Sequence, residues 1–252
     1  MLVKKLSAGL FFFIFLLLSR PAFAAIGETG NPLIIVFALA AMSLAPFVLI
    51  MITSFVKISV VLSLIRRAVG LQQTPSNQVI NGLAIIMTVY IMMPVGVKIY
   101  DNVSPLFQAP SRGRPLVSES TADMFYNAVV RAKAPIKEFL QQNAHENETR
   151  LFYNLALKLH QDNAGEQTIQ PDDFIVLVPS FVISELKEAF QIGFIIYIPF
   201  IVIDMVVSNV LLAMGMMMLS PITVSLPFKI LLFVLIDGWY LISRGLVVGY
   251  IH

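Results

Sequence analysis

The chain has no cysteine, one tryptophan, three histidines, and only 13% charged residues among its 252. The missing thiols exclude disulfides, thiolate nucleophiles and cysteine-ligated metals. With so few histidines, and no Ser-His-Asp elbow, P-loop or dinucleotide-binding glycine motif, no catalytic or cofactor site is expected. The formal net charge of +2 is spread along the chain, which gives no basis for binding nucleic acid. What the sequence has in abundance is apolar side chains, 58% of the total. A soluble domain of this size does not readily bury so much apolar sequence, so an all-α integral membrane protein is expected.

The first 24 residues read as a cleavable secretory signal. Lys4 and Lys5 supply the charged start, Leu10 to Leu18 the apolar core, and Ala22-Phe23-Ala24 the cleavage site. Four apolar runs follow: Leu33 to Ile65, Val79 to Val97, Phe190 to Ala213 and Phe228 to Val248. Each reaches the roughly 20 residues needed to cross a bilayer core as a helix. The expected organisation is a first hydrophobic hairpin over 25–100, a periplasmic helical segment over 101–178 and a second hairpin over 179–252. Arg66 and Arg67 place the first connection in the cytoplasm. Asp101 to Asp173 then lies outside, beginning extended at Pro105, Pro110 and Pro115. Amphipathic helices are expected there over Met124 to Gln142 and Thr149 to His160. Their apolar residues Met124, Phe125, Phe139, Leu140, Phe152 and Leu155 are expected to pack between neighbouring subunits.

Charges inside the apolar runs are Lys57, Asp204 and Asp237. On insertion scales a charge at mid-membrane costs at least about 2.5–3.5 kcal/mol, so each needs a partner or a path for water. Lys57 is expected to pair with Asp204 or Asp237, from another helix or another subunit, as a structural lock. The alternative is a relay in a proton-coupled membrane transporter. Glu185 and Glu188 fall on one helix face, which suits interfacial anchoring or bonding between subunits better than metal binding. His145 and His160 are read as solvated.

Met214-Gly215-Met216-Met217-Met218-Leu219-Ser220-Pro221 interrupts the last two runs, with Pro227 beyond it. Prolines flanking the motif argue against one straight helix. Methionine is unbranched and polarizable, so the cluster is either a gap filler or a pliable apolar seal.

The stretch from Pro179-Ser180-Phe181 through Ser184-Glu185-Leu186-Lys187-Glu188 to Gln191-Ile192-Gly193-Phe194 resembles the signature of the FliP/SctR family. The likeness continues through Ile198-Pro199-Phe200, Asp204, Met214 to Met218, Leu226-Pro227-Phe228-Lys229 and Asp237-Gly238-Trp239. A second block runs from Thr53-Ser54-Phe55 through Gly70 to Gln73-Thr74-Pro75-Ser76-Asn77-Gln78-Val79. Ser180 departs from the family, which usually has Ala there. The resemblance implies a non-enzymatic subunit of a flagellar or injectisome type III export gate, in the bacterial inner membrane with a periplasmic portion. It also implies a homo-pentamer joined by FliQ/SctS-like and FliR/SctT-like subunits and an FlhB/SctU-like export switch protein, passing unfolded protein substrates. In that setting the hairpins pack largely within the complex, and Met214, Met216, Met217 and Met218 become a gasket. Lys57, with its neighbours Phe55 to Ser59, is nearer the injectisome members. The signal peptide is nearer the flagellar ones, and the flagellar branch is favoured on that ground.

Overall fold

The computed structural model describes residues 40, 43–44, 46–71, 74–107, 119–160, 169–216 and 218–251. The expected signal peptide lies outside them. The described residues are helical without strands. The labelled helices are α1 Phe55–Val69, α2 Asn77–Phe107, α3 Glu119–Asn143, α4 Glu146–Leu159, α5 Phe174–Ala213, α6 Pro221–Leu235 and α7 Gly238–Val248.

The chain divides into two units. One comprises Met1–Phe47 and Val103–Arg131, the other Val48–Asn102 and Ala132–His252. The described part of the first consists largely of the end of α2 and the start of α3. The second holds most of the described side chains.

Within that unit α1 is the central helix. Ile58, Val61, Leu62, Ile65, Ala68 and Val69 are all buried, against Ile80, Ala84 and Met87 of α2, Ala189 and Phe200 of α5, Phe233 of α6, and Ile242 and Leu246 of α7. Close approach to α5 is possible because residue 193 is glycine. A Cβ there would stand 2.3 Å from Leu64 Cδ1. A second cluster joins Phe139 and Leu140 of α3 to Leu177 and Phe181 of α5.

The apolar runs map onto these helices unevenly. The first is broken at Ile52–Ser54, so α1 begins only at Phe55. The second extends beyond its expected end, and Pro105, expected to be extended, is helical within α2. The third grows backwards into α5, a helix of 40 residues that carries Pro179 and Pro199 inside it. The fourth is two helices, α6 and α7, bent by 59° at Ile236–Asp237. Among the described residues, two helices are long and apolar enough to cross a membrane, Asn77–Leu106 and Phe174–Ala213, or three spans if the bent pair counts as one. At 1.5 Å per residue α5 is about 60 Å long, roughly twice a bilayer core of ~30 Å.

Both expected amphipathic helices form, as α3 and α4. Phe139 and Leu140 are buried inside the chain, 7% and 0% exposed, so they do not face a neighbouring subunit as expected. The reason is Phe181, which offers them an aromatic partner on α5 (ring centroids 5.6 Å from Phe139, planes at 59°). Phe152 is half-buried and Leu155 is exposed. The side chains of Met124 and Phe125 lie outside the described set.

Candidate functional site: two charge clusters and a methionine loop

Lys57 lies in the first turn of α1 and is 2% exposed. Its Nζ lies 3.2 Å from Glu185 Oε1 and 2.6 Å from Glu188 Oε2. The expected pairing with Asp204 or Asp237 is therefore not the one the chain makes. Glu185 and Glu188 are one helical turn apart, so both carboxylates turn toward the same ammonium. The other two oxygens are filled from elsewhere. The Tyr250 hydroxyl donates to Glu185 Oε2, and His145 Nε2 lies 2.6 Å from Glu188 Oε1. A buried charge left unpaired is expensive, whereas one whose every polar atom is bonded holds a definite geometry. Here all four carboxylate oxygens have a partner.

The same cluster fastens α4 to α5. His145, expected to be solvated, donates its backbone N–H to Ser184 Oγ at 2.9 Å. Lys187 Nζ donates to Glu148 Oε1 at 2.8 Å, and the Lys187 hydrogen bond holds the Glu148 carboxyl below its ordinary range despite the opposing effect of burial. Ser180 is fully buried. Its hydroxyl reaches the Val176 carbonyl at 2.6 Å and the Glu148 carbonyl at 3.3 Å. Ser180 thus bridges α5 to α4, a contact alanine could not make. Lys137 of α3 pairs with Asp172, whose carboxyl is also held low by that bond.

Asp204 belongs to a second cluster. Lys229 Nζ reaches Asp204 Oδ2 at 2.6 Å and Ser225 Oγ reaches Oδ1 at 2.6 Å. Asp204 is on α5 and its two partners on α6, so the pair clasps the antiparallel hairpin. Asp204 and Lys229 lie almost symmetrically about Met217, which is the signal in the sequence that could have paired them. Asp237, read from the sequence as a charge within an apolar run, stands exposed on the chain's own surface at the α6–α7 break and takes a left-handed conformation, φ 52°.

Between α5 and α6 the methionine motif forms a loop. α5 ends at Ala213, where Met216 N–H bonds to the Leu211 carbonyl and Gly215 N–H to the Leu212 carbonyl. This pattern requires a left-handed residue just past the helix, and Gly215 supplies it at φ 72°. Pro221 then starts α6, where its missing N–H costs nothing. Met214 and Met216 are exposed, and Met218 is fully so at 101%. Met217 lies outside the described residues. Behind the loop the α5–α6 hairpin leaves an apolar cavity of about 630 Å³, bordered by Val206, Val210, Met214, Met216, Leu219 and Phe228.

Residues 38–246 match the FliP family. The chain belongs to the FliP family. The matched span includes both charge clusters and the methionine loop, leaving outside it the N-terminal residues and Tyr250. Among relatives, the chain is similar to Yop proteins translocation protein R of Yersinia pestis, 43% identical over 86% of this chain and 95% of the relative. It is also similar to virulence protein YscR of Salmonella typhimurium, 40% identical over 86% and 96%. Flagellar biosynthetic protein FliP of Bacillus subtilis is 44% identical over 82% of this chain and 87% of the relative. As a FliP-family member the protein is a membrane-embedded component of a type III secretion apparatus, in keeping with its long apolar helices.

Proposed function

We propose that the protein is a core subunit of the type III protein-export gate and that its methionine loop closes the channel through which unfolded proteins pass. The family match over 38–246 carries the reading. Relatives named for translocation and for flagellar biosynthesis match at 43% and 44%, so the assignment is to the gate that both branches share. The flagellar preference drawn from the signal-like N terminus concerns residues outside the described set.

The helices support an assembled rather than a solitary subunit. Phe190, Phe194, Ile195, Val202, Met205 and Val206 of α5 are all more than half exposed. Those residues span about 24 Å of helix. With Ile175 and Leu212, also more than half exposed, the apolar surface runs about 55 Å, beyond the ~30 Å of hydrocarbon, and the part outside lipid is suited to cover by protein. A homo-pentamer in the inner membrane, joined by FliQ/SctS-like, FliR/SctT-like and FlhB/SctU-like partners, supplies that cover. In this ring Met214, Met216, Met217 and Met218 of each copy meet as pliable apolar bulk, which holds back small ions and yields to side chains of varied size. Lys57 with Glu185, and Asp204 with Lys229, hold the subunit's own geometry. A proton-coupled transporter finds less support, since Asp204 is tied to Lys229 and Ser225 and Asp237 stands exposed at a bend.

Removing Met214–Met218 tests the proposal. The expected result is an assembled complex that leaks ions and small solutes, measured as conductance or uptake in cells expressing the deletion. An assembled, export-competent gate that stays as tight as wild type would return the methionines to plain packing. Separately, cells without the subunit should lose type III secretion altogether.

A further inference from the structure

Tyr250 follows α7 and turns back onto the first charge cluster. It makes three contacts of different kinds with three helices. Its ring lies 4.1 Å from Lys57 Nζ on α1. It stacks on Phe139 of α3, with centroids 6.1 Å apart and planes at 16°. Its hydroxyl donates to Glu185 on α5. Phe139 therefore touches two rings, Phe181 at a tilt and Tyr250 nearly parallel.

This end of α3 has further attachments, with Ile136 packed against the same core cluster as Phe139. Leu140 is buried in the same aromatic cluster. Lys98–Glu138 is an exposed ion pair and Lys137–Asp172 a partly exposed one, and such pairs contribute little in water. Neighbouring α4 is fixed quite differently, through His145 to Glu188 and Ser184, Ser180 to the Glu148 carbonyl, and Lys187 to Glu148. None of those bonds uses Tyr250. The core around α1 is likewise built from Ile58, Val61, Leu62 and Ile65 against other helices.

We propose that Tyr250 is a latch for the end of α3: docked on Lys57, Phe139 and Glu185 it tightens residues 132–143 against the charge cluster, and undocked it loosens that segment while α1 and α4 stay in place. The ring supplies a stacking partner for Phe139 and a face for the Lys57 ammonium. The hydroxyl satisfies a buried carboxylate oxygen that otherwise has no donor. The latch is a property of one folded chain and stands independently of the export reading.

Hydrogen exchange followed by mass spectrometry, on the full chain purified within its complex, tests it with Tyr250→Phe and Tyr250→Leu. Tyr250→Phe keeps the ring and loses the bond to Glu185. Exchange over 132–143 should accelerate roughly tenfold, in line with the loss of a hydrogen bond to a charged group. Tyr250→Leu removes the ring as well and should accelerate it further. In both variants peptides from 55–69 and 146–159 should keep wild-type protection. Unchanged exchange over 132–143 in either variant overturns the latch. So does a joint loss of protection over 132–143 and 55–69, which would make Tyr250 one more core residue.

Discussion

The Lys57 cluster and the methionine loop are built on opposite principles. Around Lys57 the chain completes itself: one ammonium, two carboxylates, a tyrosine hydroxyl and a histidine leave no carboxylate oxygen of Glu185 or Glu188 without a partner. At the loop the chain leaves its side chains open, with Met214, Met216 and Met218 all exposed. A polar cluster is worth having only when fully bonded. An exposed apolar loop leaves no hydrogen bond unmade, and gains its free energy of burial only when a second surface covers it. The subunit therefore fixes its geometry internally where charges lie, and leaves adaptable surface where assembly or substrate must be met.

The comparison breaks most directly at Lys57. Lys57→Met leaves two carboxylates facing each other in a buried site, and removing one partner of a buried pair costs about 3–5 kcal/mol. The yield of folded complex on native gels should fall steeply. Wild-type yields would mean that the cluster does not hold the fold. Gly193→Ala attacks the same core through volume alone. Its new methyl would collide with Leu64, and overpacking of this kind costs about 1–3 kcal/mol, read as a lower melting midpoint of the solubilised protein.

Asp204→Asn should have a moderate effect. Asp204 is about a third exposed, so solvent screens part of the loss, and about 1–2 kcal/mol is expected from one weakened charged hydrogen bond. Complex yield should drop while assembled gates still export. Abundant complex with no export would revive the relay reading.

Acid should act on the α4 attachment. The Glu148 carboxyl is held low by Lys187, so its contribution is present above the ordinary carboxylate pKa and is lost as pH falls through the lowered one. Thermal stability should decline on acidification through that window, and Lys187→Met should flatten the decline. An unchanged slope would show that the bond does not matter. Smallest of all, single Met→Leu changes at Met214, Met216 or Met218 keep volume and apolarity, so neither complex yield nor ion leak should move measurably.

Some of this was legible in the residues. Long apolar runs and the motif from Pro179 to Phe194 pointed to helices, membrane and family. Pro221 and Gly215 marked the loop, because proline and a left-handed glycine act on the backbone wherever they stand. The spacing of Glu185 and Glu188 placed both on one face. His145 and Tyr250 carried no such mark, since a lone histidine in a polar stretch and a tyrosine beyond a helix look alike whether bonded or solvated.

The sequence by itself determined helix type, apolarity, the loop and the family, because these follow from local backbone preference and side-chain chemistry. Only the tertiary structure decided the partners. It gave Lys57 to Glu185 and Glu188, gave Asp204 to Lys229, buried Phe139 under Tyr250 and bent the last run at Asp237. Pairing of charges distant in sequence depends on which helices cross and at what height. That is settled by packing across the whole core, where Gly193 lets α1 and α5 approach, and for Lys57 with its two glutamates it leaves no trace in local spacing.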